Sequence, residues 1–219
     1  MPDAADPSDP MPAFQWPASQ PWPRHAPLRL ALMASGAGSN MEAVVQACRS
    51  GPLQAEVALL VVNRADCGAR QRAERLGIPC HLHDHRQYSS RENLDRALIA
   101  LFRTEAVDLI VMAGWMRVVT PVLIEAFPDR LVNIHPSLLP SFRGLDAIAQ
   151  ALAAGVRITG CTAHLVRPEV DAGPVLAQAA VPVLDDDDHD SLAARIHHQE
   201  HRILPLAIAL AAARLGDQG

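Results

Sequence analysis

Leu28-Arg29-Leu30-Ala31-Leu32-Met33-Ala34 runs directly into Ser35-Gly36-Ala37-Gly38-Ser39-Asn40, and residues 41–49 follow with helical spacing. A short apolar run bounded by glycines reads as a buried strand, and a tight turn leading at once into a helix opens an α/β unit. The same alternation recurs downstream. Candidate strands are 28–33, 56–62, 80–82, 109–113, 131–134, 158–166 and 175–183; candidate helices are 41–49, 65–76, 89–104, 121–127, 146–154 and 191–214. Strand–helix alternation up to about residue 140 predicts a single doubly wound α/β domain with a mostly parallel sheet, Rossmann-like in its N-terminal half. The last two strands have no helix between them and predict an antiparallel addition near the C-terminal end.

Upstream of Leu28 the composition changes. Pro2, Pro7, Pro10, Pro12, Pro17, Pro21, Pro23 and Pro27 stand among Ala, Ser, Asp and Gln. That density of proline predicts a disordered extension over residues 1–27 with no regular element, followed by one domain over 28–219. The segment has no basic start and no apolar run, so it does not read as a secretory signal, and Asp3, Asp6 and Asp9 speak against a transit peptide.

The whole chain has 219 residues, 49% hydrophobic and 20% charged, with a formal net charge of −5. A folded chain of this size buries roughly 70% of the surface its unfolded form exposes, enough for a core without disulfides. The longest apolar segment, 204–213, is broken by Pro205 and stopped by Arg214, so no membrane partner is expected. Mild acidity argues against a nucleic-acid partner bound through covered phosphates. Cys48, Cys67, Cys80 and Cys161 form no C-x-x-C pair and read as small apolar residues of a reducing compartment, the cytoplasm.

The chemistry begins at the glycine turn. Main-chain N–H groups at a helix N-terminus favour an anion, so Gly38, Ser39 and Asn40 suit a phosphate. A dinucleotide fingerprint would need a small residue where Met41 stands and an acid near Asn63, so a single phosphate is favoured over NAD. A plain tight turn with Ser39 or Asn40 as N-cap is the alternative. The second stretch is Asn133-Ile134-His135-Pro136-Ser137-Leu138-Leu139-Pro140. Residues two apart in a strand share a face, so Asn133 and His135 project together from the carboxyl end of a strand, where open α/β sheets bind ligands. An amide donor beside an imidazole suits a reaction that forms an oxyanion while a proton moves, although a polar pair at a strand end would look the same. Downstream, Asp171 sits two residues before Gly173 in a turn. It can hold a carboxylate beside His135, favouring the imidazolium, or form an ordinary Asx-turn.

Taken in order, Ser35-Gly36-x-Gly38-Ser39-Asn40, Ala113-Gly114-Trp115-Met116-Arg117, Asn133 to Pro140, Asp171-x-Gly173-Pro174 and Gln199-Glu200-His201 resemble the phosphoribosylglycinamide formyltransferase family, folate-dependent enzymes of purine synthesis. The resemblance spans residues 28–215. It implies that Asn133, His135 and Asp171 are the catalytic trio, and that Gly38, Ser39 and Asn40 bind the phosphate of glycinamide ribonucleotide with His197 and Glu200 beside them. It further implies that Arg91, Met116, Arg117, Val118, Val119, Asn133, Arg167, Pro168, Glu169, Val170 and Asp171 bind the cosubstrate 10-formyltetrahydrofolate. By the same resemblance the amine attacks the formyl carbon directly, through a tetrahedral intermediate, in a monomer or homodimer that uses no metal. Trp115, Ala163 and Leu165 depart from the usual family choices as packing substitutions, and His197 stands where the family usually offers Gln or Lys.

Other chemistries are also legible. His197-His198-Gln199-Glu200-His201 fits H-x-x-E-H, but that zinc site needs a third ligand well downstream and 18 residues follow. His81, His83, Asp84 and His85 could face a metal but read better as a solvated strand end, and Asp185 to Asp188 with Asp190 suit the dipole of the long last helix. Within the superfamily, the tRNA-directed enzymes carry an extra basic domain and formyltetrahydrofolate hydrolases an N-terminal regulatory one, neither expected here. A non-enzymatic folate- or nucleotide-binding protein has no need of the intact trio.

Overall fold

The computed structural model describes residues 14–17 and 27–216. Its strands are β1 (Gln15–Trp16), β2 (Leu28–Ala34), β3 (Ala55–Val62), β4 (Cys80–Leu82), β5 (Leu109–Met112), β6 (Leu131–His135), β7 (Ile158–Leu165) and β8 (Val175–Pro182). Its α-helices are α1 (Ser39–Ser50), α2 (Gly68–Leu76), α3 (Arg91–Thr104), α4 (Pro121–Ala126), α5 (Ala147–Ala153) and α6 (His189–Gly216). All eight strands form one sheet in the order β1-β8-β7-β6-β5-β2-β3-β4. From β6 to β4 every pairing is parallel; β7, β8 and β1 are then added antiparallel. The doubly wound sheet with its antiparallel addition is the arrangement the alternation predicts.

Period-two alternation feeds two cores. Leu30, Leu32 and Ala34 of β2 pack on one face with Met41, Val44 and Val45 of α1, Ala73 of α2 and Ile196, Ile203 and Ile208 of α6. Ala31 and Met33 pack on the other with Leu94, Leu98 and Phe102 of α3 and Leu123 of α4. The chain reverses direction across the sheet between β2 and β5, which opens a crevice at their carboxyl ends. There the Ser35 N–H donates to the Gly114 carbonyl (3.0 Å) and the Met116 N–H to Ser35 Oγ (3.0 Å), tying the two loops together. Among the described residues, no helix is long and apolar enough to cross a membrane.

The proline-rich segment is corrected at one place. Gln15–Trp16 pairs with Gln178 and Ala179 of β8, and the Ala180 N–H donates to the Phe14 carbonyl (2.8 Å). Two residues just before Pro17 suffice because an edge strand needs ladder partners on one side only. The expectation of disorder over the rest of 1–27 lies outside the described residues.

Candidate functional site

Asn133 and His135 leave β6 on the same face, and the chain then turns at Pro136. Asp171 reaches them from the turn after β7. It adopts a left-handed φ of 51°, tolerable for aspartate, and Gly173 lies so tight under β7 that a Cβ there would stand 1.7 Å from the Leu165 carbonyl oxygen. The turn is thereby fixed, and it places Asp171 Oδ2 at 3.3 Å from His135 Nδ1 and Oδ1 at 3.6 Å from His164 Nε2. The Gly144 N–H also donates to Asp171 Oδ2 (2.9 Å). Burial pushes the Asp171 carboxyl up, but hydrogen bonds from His164 and Gly144 and the nearby imidazoles outweigh it and hold the group below the usual carboxylate range.

The other ring nitrogens are also committed. His135 Nε2 lies 2.8 Å from the Phe142 carbonyl, which can only accept, so Nε2 carries a proton. His164 Nδ1 lies 2.9 Å from the Leu165 carbonyl and is likewise a donor. His164 Nε2, which faces Asp171 Oδ1, also lies 3.2 Å from Asn133 Nδ2. The sequence reading missed His164. Its signal is Thr162 and His164 alternating as buried polar residues within the apolar run of β7, directly across from His135 and Asn133.

At the glycine turn, Gly38 caps α1 with φ 83° and no side chain caps the first-turn N–H groups. A Cβ on Gly38 would meet Ala69 Cα at 2.6 Å, so α2 rather than α1 sets the close approach. The loop carbonyls face α2: the Ala69 N–H donates to Gly36 O (3.0 Å) and Arg72 Nε–H to Ala37 O (2.9 Å). With those carbonyls engaged and no side-chain cap, the N–H groups of the helix start are the groups an anion would use. Asn40 Nδ2 donates to Glu200 Oε2 of α6 (2.8 Å), and burial pushes the Glu200 carboxyl up to about 7, with Asn40 pulling it partway back. His197 Nε2 stands 4.0 Å from the same oxygen, its pKa lowered by burial and by His189.

A cleft of about 450 Å³ joins these parts across the carboxyl edge of the sheet. Asn133, His135, Asp171, Asn40, His197, Glu200, the 116–119 segment, Arg167, Pro168 and Val170 all line it. Gly38 and Ser39, which precede Asn40 in the chain, are not among its lining residues. Two further expected residues also stand apart from the lining: Arg91 is the exposed first residue of α3, and the exposed Glu169 pairs with Arg143 (2.8 Å). Asn40 Oδ1 and Arg117 Nε are buried in the wall without a hydrogen-bond partner among the described residues, and such atoms in a cleft are left for a ligand. No group of three or more His, Cys, Asp or Glu among the described residues could hold a metal ion.

The sequence model of the formyl transferase family matches residues 28–208. The phosphoribosylglycinamide formyltransferase of Escherichia coli K12 is 40% identical over 182 residues, which cover 83% of this chain and 86% of that one. The trifunctional purine biosynthetic protein adenosine-3 of Gallus gallus is 40% identical over 88% of this chain, which spans only 19% of that longer protein. Among solved structures, the glycinamide ribonucleotide transformylase 1 of Geobacillus kaustophilus superposes with a TM-score of 0.81 at 39% identity, covering 86% of this chain and all of that one.

Proposed function

The chain belongs to the formyl transferase family, and from that premise we propose that it transfers the formyl group of 10-formyltetrahydrofolate to the amine of glycinamide ribonucleotide, a step of purine synthesis. The observation that carries the reading is the meeting of Asn133, His135 and Asp171 inside one cleft whose far wall is Asn40 and Glu200 beside the uncapped helix start. One end suits a ribonucleotide phosphate; the Met116–Val119 and Arg167–Val170 walls suit the flat pterin.

The mechanism follows from which donors remain uncommitted. The amine nitrogen attacks the formyl carbon, a C–N bond forms, and the carbonyl oxygen becomes an oxyanion. Because His135 Nε2–H is given to Phe142, the ring's remaining donor is Nδ1–H, beside Asp171. That proton and an amide N–H of Asn133 stabilise the oxyanion, while Asp171 beside Nδ1 fixes the plane of the ring. Collapse breaks the bond to N10 of the folate, and the proton lost by the amine passes to N10 through water. Four free cysteines agree with a reducing, cytoplasmic setting.

The test is a spectrophotometric assay with 10-formyl folate, run with and without glycinamide ribonucleotide. Absorbance change that depends strictly on the ribonucleotide supports the transferase. Turnover without it would mean hydrolysis instead, and no turnover in either case would leave a binding protein.

A further inference from the structure

One row of side chains crosses four strands. His135 of β6 stands opposite Thr162 of β7, Thr162 opposite Gln178 of β8, and Gln178 opposite Trp16 of β1. Paired residues on antiparallel strands present their side chains on the same face, so the row runs from the sheet edge to the catalytic imidazole. The loop that follows His135 is pinned to it. Thr162 Oγ1 donates to Ser137 O (2.7 Å) and accepts from the Leu139 N–H (3.0 Å), and Gln178 Nε2 donates to Leu139 O (3.0 Å) and to Thr162 Oγ1 (3.0 Å). The Thr162 hydroxyl thus uses its one donor and both acceptor positions, and the amide of Gln178 closes the set.

The loop continues through Ser141, whose carbonyl accepts from Ser137 Oγ (2.6 Å), to Phe142, whose carbonyl holds His135 Nε2. Phe142 adopts a φ of 54°, unfavourable for a residue with a bulky side chain and kept only where the surroundings over-determine it. We infer that Gln178 is a positioning residue for His135: by fixing Leu139 and Thr162 it holds the Phe142 carbonyl at Nε2, and so sets which ring nitrogen is left for the oxyanion. It touches no substrate in this account and does not line the cleft. The inference rests on the proposed catalytic role of His135.

The experiment measures kcat, both KM values and the melting midpoint for Gln178→Leu, Thr162→Val, Thr162→Ser and His135→Ala. Gln178→Leu removes both N–H groups at similar volume and is expected to lower kcat about tenfold or more, with each KM changed less than about threefold, as a displaced catalytic group does. Thr162→Val should behave alike, Thr162→Ser should recover most of the rate because it keeps the hydroxyl, and the Gln178→Leu/Thr162→Val pair should be no slower than either alone. A kcat within twofold of the parent for Gln178→Leu, or a Thr162→Ser variant as slow as Thr162→Val, overturns the inference. Should Gln178→Leu fail to fold, the two Thr162 variants decide. An inactive His135→Ala with a fully active Gln178→Leu overturns the positioning role alone; an active His135→Ala overturns the catalytic reading and this role with it.

Discussion

Both ring nitrogens of His135 face acceptors, the Phe142 carbonyl and Asp171 Oδ2, and the side chain is almost wholly enclosed at the mouth of the cleft. In the proposed mechanism His135→Ala removes a donor from the transition state while opening little of either hydrophobic core. We expect kcat to fall about 10²- to 10³-fold with an unchanged circular dichroism spectrum; an unfolded variant or one with full turnover would refute this. Glu200 makes a different prediction. Its ordinary value is 4.5 and burial lifts it to about 7, so the folded chain keeps a proton that the unfolded chain gives up between those values. Stability should therefore decline as pH rises from about 4.5 to about 7. Glu200→Gln has no such proton to lose, and its amide oxygen can still accept from Asn40 Nδ2. It should be more stable than the parent by about 3 kcal/mol at pH 8 and show no such advantage at pH 4, read by urea denaturation at both pH values. Asn133 and His135 are legible in the sequence because strand periodicity fixes their common face. Asp171 is half legible, since its turn is plain but its reach is not. The exposed place of Arg91 depends on how α3 lies on the sheet, which no local pattern encodes.

At the scale of elements, strands β2 to β8 and the six helices are legible because the apolar runs and amphipathic stretches are set apart by their own punctuation: Ser90 caps α3, Thr120 caps α4 and Pro121 opens it. β1 is not legible, for a strand of two residues has no period, and it exists only because β8 offers an unpaired edge. The order of strands is likewise a long-range property, although the crossover rules narrow it. The β7–β8 pairing has a checkable weak point. At Gly160 a Cβ would stand 1.9 Å from the Ala179 carbonyl oxygen, an approach no side chain can make without parting the strands. Gly160→Ala should cost about 3 kcal/mol and lower the melting midpoint by several degrees. A variant melting within a degree of the parent would show that the two strands separate there at little cost.

Over the whole molecule, the two cores divide the work of stability unequally with the site. Phe102 of α3 is fully buried against Phe127, ring centroids 6.1 Å apart and planes at 72°, on the face away from α1 and α6. Phe102→Ala should cost about 3–5 kcal/mol in urea denaturation while the KM for the ribonucleotide stays within about twofold, since Asn40 and Glu200 belong to the opposite face. The alternation of strand and helix made such a two-faced core expected; that Asn40 and Glu200 meet on one face of it emerges only when distant residues come together. The bond between Asn40 and Glu200 spans 160 residues and joins the first helix to the last. On a ribosome adding roughly 5–20 residues per second, the glycine turn is exposed roughly 8–30 s before its partner carboxyl has been made. A growing chain therefore carries the glycine turn for that interval before the carboxylate that Asn40 meets exists.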